Sequence, residues 1–352
     1  MTNGRRTTAI VAGLAALALG VTACGGSSAS STAGAGGSAS PAGTNTLTLY
    51  NAQHEDLMQQ MVDGFTKQTG IKVQMRNGSD SEMANQIIQE GSASPADVFV
   101  TENSPAMTLV DSKAGFSKLG ADTLSQVPAR YAPADGNWVG FAARSTVLAY
   151  NSKQLKPAQL PASLLDLAKP EWKGKFGFSP NGADFQAIVS AVVAVSGEPA
   201  ATQWLKGLKE NGKIYQGNST VMKAVNRGEI QAGVIYHYYW YKDRAESGAN
   251  SKDVELHLFG KKDPGAFISI SGAGVLKSSK HQAEAQQLVK YLTSKDGQQV
   301  LASSKALEYT VGNGVAANAV LKPLSEIDAP DVPVADLNGP KVIEMMQQAG
   351  LL

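Results

Sequence analysis

From Thr46 onward the apolar positions switch repeatedly between a period of two and a period of about 3.6. LTLYN at 47–51, IKVQM at 71–75 and DVFVT at 97–101 are short runs rich in β-branched and aromatic residues and read as strands. Between them EDLMQQMVDGFTKQ places Leu57, Met61 and Phe65 on one helical face, and SEMANQIIQEG reads as a second helix. This βαβαβ order predicts a parallel sheet covered by helices on both faces. The alternation resumes further on with KFGFS, ADFQAIVSAVVAV, ATQWLKGLKENG, KIYQ, NSTVMKAVNRG and QAGVIYH, a second and similar α/β lobe. WVGFAARSTVLAYN lies between the two blocks and GAFISISGAGVLK follows the second. Both are long enough, when extended, to run from lobe to lobe, so the chain crosses more than once. The helices QAEAQQLVKYLTS and KVIEMMQQAG complete the pattern, with no internal repeat and no nucleotide-binding loop. We expect a first lobe from 46–144 and 269–319 and a second from 145–268 and 320–352.

The segment before Thr46 has a different character. MTNGRR carries two arginines, and AIVAGLAALALG is apolar for fewer than the roughly 20 residues that cross a bilayer, so residues 1–23 read as an export signal. Small residues lead into Cys24, the only cysteine of the chain, in a pattern that resembles a lipobox. Cys24 is therefore expected to carry a lipid, and the Gly/Ser-rich stretch 24–45 to be a flexible tether that holds the protein to the outer face of the cytoplasmic membrane. A lone cysteine has no disulfide partner. Without residues 1–23, which contain Arg5 and Arg6 and no acids, 29 basic residues face 30 acidic ones. That balance suggests neither nucleic acid nor an anionic membrane surface as a partner.

The candidate chemistry sits just past the expected strands. His54 follows LTLYNAQ, Glu102 follows DVFVT, Asn181 and Gly182 follow KFGFSP, and Tyr238 and Tyr239 follow AGVIYH. Ligands of open α/β sheets bind outside the carboxyl ends of the strands, so two facing lobes would bring these groups into one cleft. One imidazole, one carboxylate and two phenols suit zinc poorly. They suit a hard trivalent cation, Fe(III), which can displace a phenol proton and bind the phenolate. Two phenolates and a carboxylate neutralise its charge and leave coordination positions for water or a small anion. The helix starts at Gly182 and Asn218, with unpaired backbone N–H groups, are candidates to hold such an anion. Taken singly, a tyrosine pair beside a tryptophan is ordinary core packing, and Glu102 an ordinary helix-start acid. Coincidence at several strand ends is what favours a metal centre. Tyr236, His237 and Tyr241 are assigned to packing, because a strand ending there would turn alternate side chains away from the cleft.

Over nearly its whole length after the tether the sequence resembles the periplasmic ferric-ion-binding proteins of ABC-type iron uptake, the bacterial transferrin kind. The likeness is carried by LTLYNAQHED, DVFVTEN, WVGFAARSTVLAYN, KPEWKGKFGFSPNGADF, WLKGLKENGK, NSTVMKAVNRGEIQAGVIYHYYWY, DPGAFISISGAGVLKSS and the final QQAG. The resemblance implies a two-lobed α/β periplasmic-binding-protein fold with hinge crossovers and a ligand cleft between the lobes. It implies a monomer that delivers ferric ion to a membrane permease. It places the metal ligands at His54, Glu102, Tyr238 and Tyr239. A synergistic anion, phosphate, carbonate or similar, would lie at Asn181, Gly182, Ala183 and Asn218, with Asn103 and Arg144 close by. Two departures weaken phosphate in particular. Tyr236-His237 stands where phosphate-binding relatives have two asparagines, and Asn181 replaces the serine of the anion turn.

Two other functions are compatible with tyrosines in a cleft. An iron-tyrosinate dioxygenase would want two histidines with two tyrosines, but His237, His257 and His281 do not follow strand ends as His54 does, so we expect no enzyme. A binding protein for a polyamine or an organophosphonate would use the tyrosines as stacking surfaces.

Overall fold

The computed structural model describes residues 46–352. The expected export signal, Cys24 and the tether lie outside the described residues.

Strands β1 (Thr46–Asn51), β2 (Lys72–Asn77) and β3 (Val98–Val100) alternate with helices α1 (Glu55–Thr69) and α2 (Asp80–Glu90) and are followed by α3 (Ser104–Lys113) and a short α4 (Ala121–Leu124). β1 pairs in parallel with both β2 and β3. The α1 stripe behaves as its spacing predicts, with Leu57, Met61 and Phe65 buried, and α2 begins on a capping box in which Ser79 and Glu82 satisfy each other's backbone N–H. The second block runs β5 (Phe176–Phe178), α5 (Ala183–Ser196), α6 (Glu198–Asn211), β6 (Lys213–Ile214), α7 (Asn218–Asn226), β7 (Ala232–Tyr236), α8 (His237–Glu246) and β8 (Val254–His257), and in it β5 pairs in parallel with β6 and β7.

Two long strands join the blocks. β4 (Trp138–Asn151) is buried at every residue, and β9 (Ile268–Val275) runs antiparallel to it. The order across the sheet is β2-β1-β3-β9-β4-β7-β5-β6. β4 changes partner midway. Trp138 to Ser145 align with β9, and Thr146 to Tyr150 align with β7, so one continuous strand serves both blocks. Helices α9 (Gln282–Thr293) and α10 (Lys295–Ser303) and strand β10 (Tyr309–Thr310), which pairs with β4, return to the first block. The last helix, α11 (Gly339–Gln348), lies against both α3 and α5 and so touches both blocks. No helix among the described residues is long and apolar enough to cross a membrane.

Candidate metal centre

The stretch YHYYWY divides between two elements. Tyr236 ends β7 in extended conformation and is the N-cap of α8, which puts Tyr238 and Tyr239 in the first turn of a helix rather than on a strand end. Their rings stack, with centroids 4.3 Å apart. Register explains their location: Thr146 of β4 pairs with Tyr236, so the start of α8 lies beside Arg144 at the point where β4 changes blocks.

From the first block, His54 is the residue before α1, and Glu102 and Asn103 lie between β3 and α3. The Glu102 and Asn103 N–H groups both donate to the buried Asp80 carboxylate, at 2.8 and 2.9 Å, which pins this turn. Tyr238 Oη donates to Glu102 Oε1 at 2.9 Å, His54 Nε2 is 3.5 Å from the same oxygen, and the His54 ring meets the Tyr238 ring edge-on at 5.1 Å. The structure thus brings His54, Glu102, Tyr238 and Tyr239 together across the two blocks. The two phenol oxygens lie 3.4 and 3.2 Å from Asp184 Oδ2, so a cation held here has both phenols within reach besides His54 and Glu102.

The residues expected to hold an anion divide differently. Asn103 and Asn218 reach the tyrosines, but both amides are committed to Asp184, in the first turn of α5: Asn103 Nδ2 donates to Oδ1 at 2.9 Å and Asn218 Nδ2 to Oδ2 at 2.8 Å. Asn181 and Gly182 are exposed, and Asn181 bonds Gln216. Arg144, fully buried, is committed to Glu308, with Nη2 2.5 Å from Oε2 and 2.7 Å from Ser271 Oγ; its Nε and Nη1 have no partner among the described residues. Its guanidinium carbon lies 5.8 Å from the centre of the Tyr238 ring.

Sequence reasoning missed Asp184 as a member of the site, because an acid in a helix's first turn has an ordinary explanation. It also missed Glu308, whose Oε1 is 2.9 Å from His54 Nδ1 and which no nearby motif marks. Tyr236, assigned to packing, donates to Asn103 Oδ1 and to the Asp184 carbonyl, both at 3.3 Å, and so forms the floor of the site. His237 does pack away from it, stacked on Tyr309 and accepting the Ser145 N–H.

Burial and the Asp184 and Glu102 carboxylates push the Tyr238 and Tyr239 phenols well above their ordinary value. Burial opposes ionisation of Glu308, but Arg144 and His54 outweigh it and bring Glu308 down to about 2. Burial also acts to lower His54, and its contact with Glu308 and the charge of Glu102 override that and raise it. Burial, with Glu102 beside them, also raises Asp80 to about 8 and Asp184 to about 7, so the centre holds two protonated phenols and two carboxyls that keep protons near neutral pH. A trivalent cation would change both features at once.

Two α/β blocks crossed by shared strands, with polar side chains of both blocks meeting at the crossing, have the architecture of a solute-binding protein. Residues 60–326 match the model of the bacterial extracellular solute-binding protein family, and the chain belongs to that family. It is 59% identical to the Fe(3+)-binding periplasmic protein of Serratia marcescens over 306 residues, 87% of this chain and 90% of that one. It is 38% identical to the major ferric iron-binding protein of Neisseria meningitidis, over 87% and 93% of the two chains. Iron-bound HitA from Pseudomonas aeruginosa has the same two-lobed periplasmic-binding-protein fold, with a TM-score of 0.82 and 43% identity over 87% of this chain and 99% of that chain.

Proposed function

We propose that this chain binds ferric ion in the cleft and delivers it to the permease of an ABC-type transporter. The carrying observation is the convergence of His54, Glu102, Tyr238 and Tyr239 across the two blocks, tied by the 2.9 Å bond from Tyr238 Oη to Glu102. The relatives in Serratia marcescens and Neisseria meningitidis, both named for ferric ion, support the same cargo. The chain is a binding protein, as they are, and not an enzyme. A synergistic anion, phosphate, carbonate or similar, beside Asn103 and Asn218 completes the ferric environment. Lobe one, 46–144 and 269–319, supplies His54 and Glu102, and lobe two, 145–268 and 320–352, supplies the tyrosines. The protein works as a monomer, anchored through a lipid on Cys24 at the outer face of the cytoplasmic membrane.

Titration with ferric ion, set against a polyamine and an organophosphonate, tests the cargo. Ferric loading should produce an orange to red protein through phenolate-to-iron charge transfer. Changing Tyr238 and Tyr239 together to phenylalanine should abolish the band, and each single change should weaken and shift it. A colourless loaded protein, or tight binding of the organic ligands alone, would remove ferric ion as the cargo.

A further inference from the structure

The ferric reading assigns no task to Glu308, yet the chain reaches this residue through a strained turn. Leu307 has φ 54°, in the left-handed region that residues other than glycine seldom enter. Beyond the turn Glu308 is completely buried and Tyr309 starts β10. The Glu308 carboxylate meets three groups. Its Oε2 is 2.5 Å from Arg144 Nη2 and 3.3 Å from Gln53 Nε2, and its Oε1 is 2.9 Å from His54 Nδ1. His54 Nδ1 and Glu308 Oε1 are both buried, and neither has another hydrogen-bonding partner among the described residues. The second ring nitrogen, Nε2, lies on the side of Glu102 and the Tyr238 ring. Gln53 fixes the backbone beside the imidazole, with its Oε1 accepting the His54 N–H at 2.7 Å, and is itself held through Nε2 by Ser271 Oγ at 2.7 Å.

Building on the ferric reading, we propose that Glu308 is the positioning residue of the histidine ligand: it takes the proton-bearing side of the imidazole at Nδ1 and leaves the Nε2 lone pair for the metal. A neutral imidazole carries one N–H, and the partner of that N–H decides which nitrogen is free to bind a cation. An ionised carboxylate behind the ring also makes the free nitrogen a stronger donor. Arg144 supplies the countercharge that keeps Glu308 ionised in a buried place, and it occupies Oε2 while Oε1 is left for His54. Packing alone does not call for this arrangement, since apolar residues of similar volume would serve a core as well as a buried ion pair does.

The test is a double-mutant cycle on ferric affinity, measured by competition with a ferric chelator. Its two changes are His54→Ala and the joint replacement Arg144→Met with Glu308→Leu, which removes one positive and one negative charge together and orphans neither. The joint replacement should weaken ferric binding about tenfold or more when His54 is present and less than about threefold when His54 is absent. Equal losses in the two backgrounds overturn the assignment, and so does a His54→Ala protein with wild-type affinity. A second measurement observes the ring itself. In wild type loaded with gallium(III), a diamagnetic trivalent ion, the His54 Nδ1 proton should give an NMR signal protected from solvent exchange, and the joint replacement should abolish that protection. An unprotected Nδ1 proton in wild type overturns the assignment, so the question is decided even if the replacement fails to fold. A wild type that neither binds ferric ion nor colours overturns the ferric reading and this role with it, whereas a coloured, tightly binding wild type with equal losses in the cycle overturns the positioning role alone.

Discussion

Tyr238 and Tyr239 are poor metal ligands until a metal arrives, because burial and two carboxylates hold their protons on. Loading with ferric ion therefore has to expel protons, and we expect at least two per ion at neutral pH, measured by pH-stat titration, and about one fewer in either single tyrosine-to-phenylalanine variant. A second residue-scale prediction concerns Glu308. With Arg144 it forms a fully buried ion pair, and Glu308→Gln leaves the guanidinium without its countercharge. Removing one partner of such a pair costs about 3–5 kcal/mol, which urea unfolding of the metal-free protein would show; a change under about 1 kcal/mol would mean that water or another group compensates Arg144. These residues were unequally legible in the sequence. His54, Glu102 and the tyrosines follow apolar strands, and a polar residue just past a strand points into a cleft. Asp184 and Glu308 give no such signal, since one looks like a helix-start acid and the other reaches the site only because β10 pairs with β4.

At the scale of elements, the long apolar runs were the most legible. WVGFAARSTVLAYN is β4 from its first residue to its last, and ADFQAIVSAVVAV is α5 to within one residue. Helix α8 was not visible, because five aromatic residues in its first stretch have weak helix propensity and tertiary packing decides their conformation. Its first residue, His237, is held neutral: burial dominates, Arg144 adds to it, and the value falls to about 3. The folded-state value lies below the unfolded one of about 6.5. The stabilisation is thus fully present above about 6.5 and is lost as pH falls towards about 3, with a slope of about 1.4 kcal/mol per pH unit from this group. Unfolding of the metal-free protein across that window should show the slope, and His237→Phe should flatten it whatever its effect at neutral pH. The start of α5 yields the opposite kind of prediction. Gly182 has negative φ and open space around its Cβ position, so Gly182→Ala should leave stability and ferric affinity within about 0.5 kcal/mol of wild type. A large loss of affinity would show that an anion approaches this backbone closely.

The two-lobed plan was legible as two runs of alternating strands and helices, and two facing lobes were expected to bring their strand ends together; the individual bonds between the blocks were not legible, because their side chains meet only in space. The bonds from Tyr238 to Glu102, from Asn103 to Asp184 and from Tyr236 to Asn103 all run between the blocks, and every one belongs to the metal centre. In the proposed reading this centre acts as the latch between the blocks, and whatever weakens its charge balance should open it. Two phenolates persist only while a trivalent ion offsets their proton affinity. Reduction to ferrous ion removes one charge and lets protons compete for both oxygens, and acid acts in the same direction and also protonates His54. We expect the loaded protein to scatter as the closed form and the metal-free protein to have a larger radius of gyration, with ferrous affinity lower than ferric by several orders of magnitude. Small-angle scattering during reduction of the loaded protein, recorded together with the charge-transfer band, should show the radius rise as the colour fades. A radius that stays constant while the colour is lost would separate the latch from the metal and place closure in the packing of α11 against α3 and α5 instead.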